Sequence, residues 1–190
     1  MQTEKIVYRL VPSPIGDFVA GATANGLCLF EFSDRGGLEK IAARVQRRYR
    51  SALTPGHSRH IDQAAAEMME YFRGSRRSFD VPLDVDGTPF EVQVWDELLR
   101  IPYAETRAYG QLATKMGKPG AARAVGRANG ANYVAVMIPC HRVIEEGGGL
   151  RGYGGGLWRK RYLLDLERNH QEEPGLPVIP ATMQDASVAL

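Results

Sequence analysis

Residues 109–128 read YGQLATKMGKPGAARAVGRA, and this stretch decides the fold of the second half of the chain. Helix-forming residues fill Tyr109 to Met116, and Gly117-Lys118-Pro119-Gly120 is typical of a tight turn. Ala121 to Ala128 then forms a second helical stretch. The pattern predicts helix, turn, helix, the outline of a helix-turn-helix.

The second of these helices has unusually small side chains, apart from Arg123 and Arg127. The small residues are Ala121, Ala122, Ala124, Gly126 and Ala128. A helix with side chains is about 10–12 Å across, whereas the minor groove of DNA is about 6 Å wide. We therefore predict that this helix enters a widened minor groove, with Arg123 beside or within the base stack. The alternative is an amphipathic core helix with surface arginines.

A reactive thiol is predicted at Pro139-Cys140-His141-Arg142-Val143. The apolar run 133–138 precedes it, and we expect a strand that Pro139 ends, so that Cys140 enters a cleft. A neighbouring base such as His141 can hold a cysteine as thiolate, its nucleophilic form. The alternative is a buried structural cysteine.

The segment between Thr106 and Ile144 contains no Asp or Glu, although the net charge of the chain is only +2. Its basic residues are Arg107, Lys115, Lys118, Arg123, Arg127 and Arg142. A solvated surface usually mixes charges of both signs. Charge of one sign beside a candidate nucleophile indicates a polyanionic partner, of which nucleic acid is the commonest.

The predicted fold class is α/β (α+β). Residues 1–80 are expected to form an N-terminal lobe with strands near 7–11, 18–23 and 27–32 and two helices, and Asn25-Gly26 is typical of a hairpin turn. Residues 81–90 are expected to be a linker, 91–170 a mostly helical lobe, and 171–190 a mobile tail.

Composition limits the class of protein. Hydrophobic residues make up 44% and charged residues 24% of 190, as in a globular protein. No apolar run approaches the roughly 20 residues of a membrane span. The N-terminus lacks a secretion signal and two distant cysteines make no disulfide framework, so a reducing cytoplasm is expected.

Two further motifs are interpreted as weak signals. His57 and His60 have the spacing of a metal-binding pair, but no third ligand lies nearby in the sequence, so we predict no metal and no cofactor. Residues 147–152 match the G-x-G-x-x-G pattern, but more glycines follow where a helix must begin. We predict a loop at the rim of a pocket there.

With these motifs in place, the chain resembles the O6-alkylguanine-DNA alkyltransferases, or methylated-DNA–protein-cysteine methyltransferases. The matching motifs are Ile138-Pro139-Cys140-His141-Arg142-Val143, Tyr109-Gly110-Gln111-Leu112-Ala113, Ala121-Ala122-Arg123-Ala124-Val125-Gly126, Asn132, Gly152-Tyr153 and Leu163-Leu164-Asp165-Leu166-Glu167. The resemblance runs from about residue 8 to 167. It implies a ribonuclease H-like N-terminal lobe and a winged-helix-like C-terminal lobe.

The resemblance also implies a site and a reaction. A damaged guanine is flipped out of the duplex and its O6-alkyl group moves irreversibly to Cys140, so each molecule acts once. His141 takes the thiol proton through a water, Glu167 orients the imidazole, Tyr109 assists flipping and Asn132 holds the turn before Cys140. The residues expected to contact DNA are Tyr109, Ala121, Ala122, Arg123, Ala124, Gly126 and Arg127. The pocket is expected to contain Tyr109, Ala135, Met137, Val143, Tyr153, Gly154 and Gly155.

The expected partner is double-stranded DNA, bound through the minor groove without sequence specificity by a monomer. Repair of O4-alkylthymine and cooperative binding to DNA stay open. Two other functions also remain. A cysteine hydrolase would use Cys140 and His141 but leave the basic segment unexplained. A DNA-binding regulator would use the helix-turn-helix but leave the thiol unexplained.

Overall fold

The computed structural model describes residues 5–170, and the predicted tail at 171–190 lies outside them. The strands are β1 (Ile6–Val11), β2 (Phe18–Ala22), β3 (Leu27–Phe32), β4 (Leu53–Pro55), β5 (Arg107–Ala108) and β6 (Val143–Ile144). The helices are α1 (Gly37–Tyr49), α2 (Arg59–Phe72), α3 (Pro89–Leu99), α4 (Tyr109–Lys115), α5 (Ala122–Gly130) and α6 (Leu157–Asn169). The predicted mixed α/β class is confirmed.

The first sheet has the strand order β3-β2-β1-β4. Strands β2 and β3 pair antiparallel across the turn that contains Asn25-Gly26, with Phe18 opposite Phe32, so the predicted hairpin is confirmed. Strands β1 and β2 also pair antiparallel, whereas β4 pairs parallel to β1 at the edge of the sheet. No sequence pattern indicates β4, because this strand is three residues long and ends in Pro55.

Helices α2 and α3 begin where the local sequence provides caps. The Ser58 side chain accepts a hydrogen bond from the backbone N–H of His60 at the start of α2. Thr88 and Glu91 form a reciprocal capping box at the start of α3, and Pro89 occupies the first turn. These caps fix the N-terminal ends of α2 and α3, the two helices on either side of the link between the halves of the chain.

The predicted helix-turn-helix is present as α4 and α5. Gly117 and Gly120 in the connecting turn have φ of 69° and 89°, the left-handed region that glycine adopts without steric cost. Leu112 of α4 and Val125 of α5 are buried, and Trp95 of α3 donates its indole N–H to the carbonyl of Ala128. The buried face of α5 packs on the core, which leaves the opposite face exposed.

The apolar run at 133–138 is not a strand, so that prediction is wrong. Val134 and Ala135 form only isolated bridges, and the chain turns sharply at Val136, whose φ is 71°. A β-branched residue in the left-handed region is rare. The run is a buried turn, and a short 3-10 helix at Cys140–Arg142 follows it.

One hydrophobic core connects both halves of the described chain. The backbone of Phe30 in β3 exchanges hydrogen bonds with Tyr133 and Ala135, at 2.8 and 2.7 Å. Strand β3 therefore fixes the position of the turn that leads to Cys140. The division into two lobes stays a prediction. No helix among residues 5–170 is long and apolar enough to span a membrane.

Candidate active site and nucleic-acid interface

A hydrogen-bonded cluster surrounds Glu167, which α6 places in the core. Its carboxylate accepts hydrogen bonds from His141 Nε2 (2.9 Å), the Tyr71 hydroxyl (2.7 Å), the backbone N–H of Ala104 (2.9 Å) and Arg142 Nη2 (2.8 Å). Glu167 and His141 are both fully buried. A buried carboxylate with this many donors is held in one orientation.

The same contacts set the charge of Glu167. Burial acts to raise the pKa of its carboxyl, but the hydrogen bond from His141 and the charge and hydrogen bonds of Arg142 hold that pKa well below its usual range. Glu167 is therefore ionised at neutral pH and accepts a hydrogen bond from the N–H of His141 Nε2. That leaves His141 Nδ1 as the nitrogen with a free lone pair.

His141 is suited to take up a proton. Burial lowers its pKa below the ordinary 6.5, although Glu167 opposes the shift, so the imidazole is neutral near pH 7. Its Nδ1 atom makes no hydrogen bond with any residue in the described part of the chain. A neutral imidazole with one nitrogen fixed by a carboxylate has the arrangement of a general base.

The Cys140 thiol is protonated at rest, contrary to the prediction of a thiolate. Only 6% of the residue is exposed, and this burial raises the pKa of the thiol above its ordinary value. A hydrogen bond with the Asn132 side chain and the charges of Arg35 and Lys160 oppose this rise. The nucleophile therefore has to form during the reaction by loss of a proton to a base.

Asn132 holds the turn before Cys140. Its Nδ2 donates to the carbonyl of Ile138 (2.9 Å), and its Oδ1 accepts from the backbone N–H of Val134 (2.9 Å). These bonds close a turn that contains the strained Val136. The backbone that presents Cys140 is thus fixed by two buried amide side chains, Asn132 and Asn129, whose Nδ2 donates to the Cys140 carbonyl (3.3 Å).

A small cavity of about 10 Å³ adjoins Cys140, enough for about one water molecule. Four of the predicted pocket residues line it: Ala135, Tyr153, Gly154 and Gly155. Asn129 Oδ1 and the Tyr153 hydroxyl are buried and make no hydrogen bond within residues 5–170, so the cavity wall offers an unpaired acceptor and an unpaired donor. A polar ligand would satisfy both.

The structure does not bring the other predicted pocket residues to this cavity. Met137 lines a separate cavity beside Tyr103 and Pro139, and Val143 is fully buried in β6, where it pairs with Arg107. Tyr109 packs beside Gly126 at the rim, where its hydroxyl approaches the carbonyl of Arg151 at 3.4 Å.

Sequence reasoning missed several residues of the site. Tyr71 and Arg142 were not predicted as partners of Glu167, and Arg142 is a buried structural cation, not part of a basic surface. Lys160 is fully buried and donates to the carbonyls of Val143 and Arg151. The position of Arg142 directly after Cys140-His141 is the one sequence signal that could have pointed to its role. No spacing pattern points to Tyr71 or Lys160.

The predicted DNA-contacting residues lie on one side of α5. Arg123 and Arg127 are exposed and make no ion pair with any residue at 5–170, whereas Ala121, Ala122, Ala124 and Gly126 are partly exposed. Lys115 pairs with Glu97 and Arg107 with Glu105, so these two cations are partly neutralised. The unpaired positive charge of the segment is concentrated at Lys118, Arg123 and Arg127.

Among residues 5–170, no group of three or more His, Cys, Asp or Glu side chains could hold a metal ion. His57 is exposed, whereas His60 is buried with its Nε2 near the carbonyl of Ala24. His57 therefore precedes α2 and His60 lies in its first turn, with one side chain exposed and the other buried.

Comparison with known proteins agrees with this geometry. Residues 89–169 match the family model described as 6-O-methylguanine DNA methyltransferase, DNA binding domain. The methylated-DNA–protein-cysteine methyltransferase of Mycobacterium tuberculosis is 44% identical over 167 residues, covering 86% of this chain and 93% of the relative. The inducible enzyme of that name from Bacillus subtilis is 36% identical over 179 residues, covering 93% and 99%.

Solved structures give the same result. The crystal structure of Mycobacterium tuberculosis OGT in complex with DNA aligns with a TM-score of 0.74 at 42% identity, over 86% of this chain and 94% of that one. The O6-methylguanine-DNA methyltransferase of Pyrococcus kodakaraensis aligns at 0.63 and 26% identity, over 85% and 98%. This chain belongs to the methylated-DNA–protein-cysteine methyltransferase family.

Proposed function

We propose that this protein repairs O6-alkylguanine in DNA by moving the alkyl group to Cys140 in a single-turnover reaction. The observation that carries the proposal is the hydrogen bond from neutral His141, the residue after Cys140, to ionised Glu167, near a helix with exposed arginines whose Asn129 bonds the Cys140 carbonyl. The family membership gives the substrate class.

The reaction begins when His141 Nδ1 takes the thiol proton through a bridging water, and Glu167 stabilises the imidazolium that forms. The Cys140 sulfur then forms a bond to the alkyl carbon as the bond from that carbon to O6 breaks. The electron pair passes to the guanine, which is afterwards protonated. The thioether product is not hydrolysed, so each molecule is consumed.

Several side chains are placed to bind the flipped base. Burial raises the pKa of both Tyr109 and Tyr153, so both hydroxyls stay protonated and can donate to guanine. Asn129 Oδ1 is an acceptor of the kind that a base amino group satisfies. The small Ala135 and Gly154 leave room for adducts bulkier than methyl once the cavity has opened.

Helix α5 is proposed to enter the minor groove without sequence specificity. Its exposed face offers Ala122, Ala124 and Gly126, which permit close approach, together with two arginines. Arg123 would fill the space that the flipped base leaves, which offsets an unstacking cost of a few kcal/mol, and Arg127 would contact phosphate. We further propose a monomer that acts in the cytoplasm, where Cys140 stays reduced.

The fold assignments that the resemblance implied are proposals as well. The strand order β3-β2-β1-β4 with flanking helices supports a ribonuclease H-like N-terminal lobe at 1–80. The helix pair α4–α5 with the short β5–β6 pair supports a winged-helix-like lobe at 91–170.

Stoichiometry tests the function against its two alternatives. The protein is incubated with an excess of duplex that contains O6-methylguanine, and both the DNA and the intact protein are weighed by mass spectrometry. We expect one methyl group per molecule and repair of an equal amount of DNA. Product formation beyond one equivalent would indicate a cysteine hydrolase, and an unchanged protein mass would indicate a regulator.

A further inference from the structure

Arg35, in the turn between β3 and α1, crosses to the segment that leads to Cys140. Its Nη2 donates to the carbonyl of Gly130 (2.8 Å), the last residue of α5, and its Nη1 donates to the carbonyl of Asn132 (3.3 Å). A cation is favourable at a helix C-terminus, where carbonyls lack intrahelical partners. Arg35 also forms an ion pair with buried Glu31.

The same guanidinium lies against the loop that lines the Cys140 cavity. A Cβ atom built on Gly154 would lie 2.2 Å from Arg35 Cζ and 2.5 Å from its Nε. Arg35, Gly154 and Cys140 line one cavity of about 10 Å³. That volume holds about one water molecule and cannot hold a purine base.

We propose that Arg35 is a specificity-determining residue that closes the Cys140 cavity, so that a base enters only after the guanidinium leaves Gly154. This inference rests on the proposed function and adds to it. A base delivered on DNA brings the binding free energy of the α5 contacts, which can displace Arg35, whereas a free base does not. Arg35 thus favours lesions in DNA over free purines.

Glu31 makes the movement of Arg35 feasible. Its buried carboxylate binds the guanidinium groups of both Arg35 and Arg44. When Arg35 withdraws, Arg44 still pairs with Glu31, so no buried charge is left without a partner. Arg44 does not line the Cys140 cavity, which makes it a matched control for Arg35.

The test compares Arg35→Ala with Arg44→Ala. We measure the rate of Cys140 labelling by free O6-benzylguanine, by iodoacetamide and by O6-methylguanine duplex. In Arg35→Ala the rates with O6-benzylguanine and iodoacetamide should rise by about tenfold or more, because a hydrogen bond from a charged donor shifts the closed state by about that factor. Loss of the Arg35 charge, which lowers the pKa of the thiol, acts against this rise and makes the gain a minimum. The duplex rate should change by less than about threefold, and Arg44→Ala should leave all three rates unchanged.

Gly154→Ala provides an independent arm of the test, which also stands by itself if Arg35→Ala does not fold. The added methyl group would displace the guanidinium but keep its charge, so labelling by iodoacetamide should rise as in Arg35→Ala, and the double variant should gain nothing more. Unchanged labelling in both variants, or an equal gain in Arg44→Ala, overturns the inference. If the wild type takes no methyl group from duplex, the proposed function fails, but the iodoacetamide comparison still decides the role of Arg35.

Discussion

The outer face of α5 and the cluster around Glu167 both contain arginines, but in opposite settings. Arg123 is exposed and has no ion-pair partner within residues 5–170, whereas Arg142 is 6% exposed and makes three hydrogen bonds to Glu167. A buried charge is costly unless it is paired, whereas an exposed charge costs little. We infer that the cluster fixes the chemistry and that the helix face is kept free for an external anion.

The largest effect is expected from Glu167→Gln, which keeps the shape of the side chain but removes its charge. His141 then loses the anion that stabilises its protonated form, so the methyl transfer rate should fall by about 10²–10⁴-fold. Because Arg142 becomes an unpaired buried cation, the free energy of unfolding should fall by about 3–5 kcal/mol. Single-turnover kinetics and chemical denaturation measure the two changes.

The matched control for this variant is Asp165→Asn, which alters a half-exposed carboxylate on the same helix that pairs with Arg168. We expect both its rate and its stability to remain near the wild-type values. Comparable losses in the two variants would show that the cluster has no special role.

A smaller effect is expected from Arg123→Ala on the α5 face. Without a side chain to fill the space that the flipped base leaves in the base stack, the free energy of base flipping is higher. Transfer from duplex DNA should therefore slow by about 10–100-fold. Transfer from single-stranded O6-methylguanine DNA should not change, and neither should the melting temperature. Arg47→Ala, an exposed arginine on α1, should affect neither substrate, and equal slowing on both substrates would exclude a role of Arg123 in flipping.

The sequence predicted the exposed region better than the buried one. The helix-turn-helix was predictable because glycines and proline mark its turn and helix formers fill both helices. The cluster was not, because Tyr71 and Glu167 are 96 residues apart, and only tertiary packing brings them together. Val136 illustrates the same limit, since an apolar β-branched run predicts a strand, whereas the Asn132 side chain imposes a turn.

The pH dependence of the rate should show no large change between about pH 7 and pH 9. In this window His141 is neutral, because burial lowers its pKa below the ordinary value, and Cys140 is still a thiol, because burial raises its pKa. The reacting pair therefore keeps one protonation state, and the rate should fall only as the pH drops through the pKa of His141. A tenfold rise per pH unit would instead indicate a thiolate formed without His141.

Methylation of Cys140 is expected to have the smallest effect. The added methyl group enters a cavity of about 10 Å³, so overpacking should lower the free energy of unfolding by about 1–3 kcal/mol. Thermal melts before and after reaction with one equivalent of O6-methylguanine duplex measure this change. Identical melting temperatures would mean that the site accommodates the product without strain.

The most direct test compares the two cysteines of the chain. Both are buried, but only Cys140 lies beside His141, whereas Cys28 lies in β3 within the core. After incubation with O6-methylguanine duplex, Cys28→Ala should gain one methyl group at Cys140, whereas Cys140→Ala should gain none and leave the lesion in the DNA. Loss of the lesion at the wild-type rate with Cys140→Ala would contradict the account.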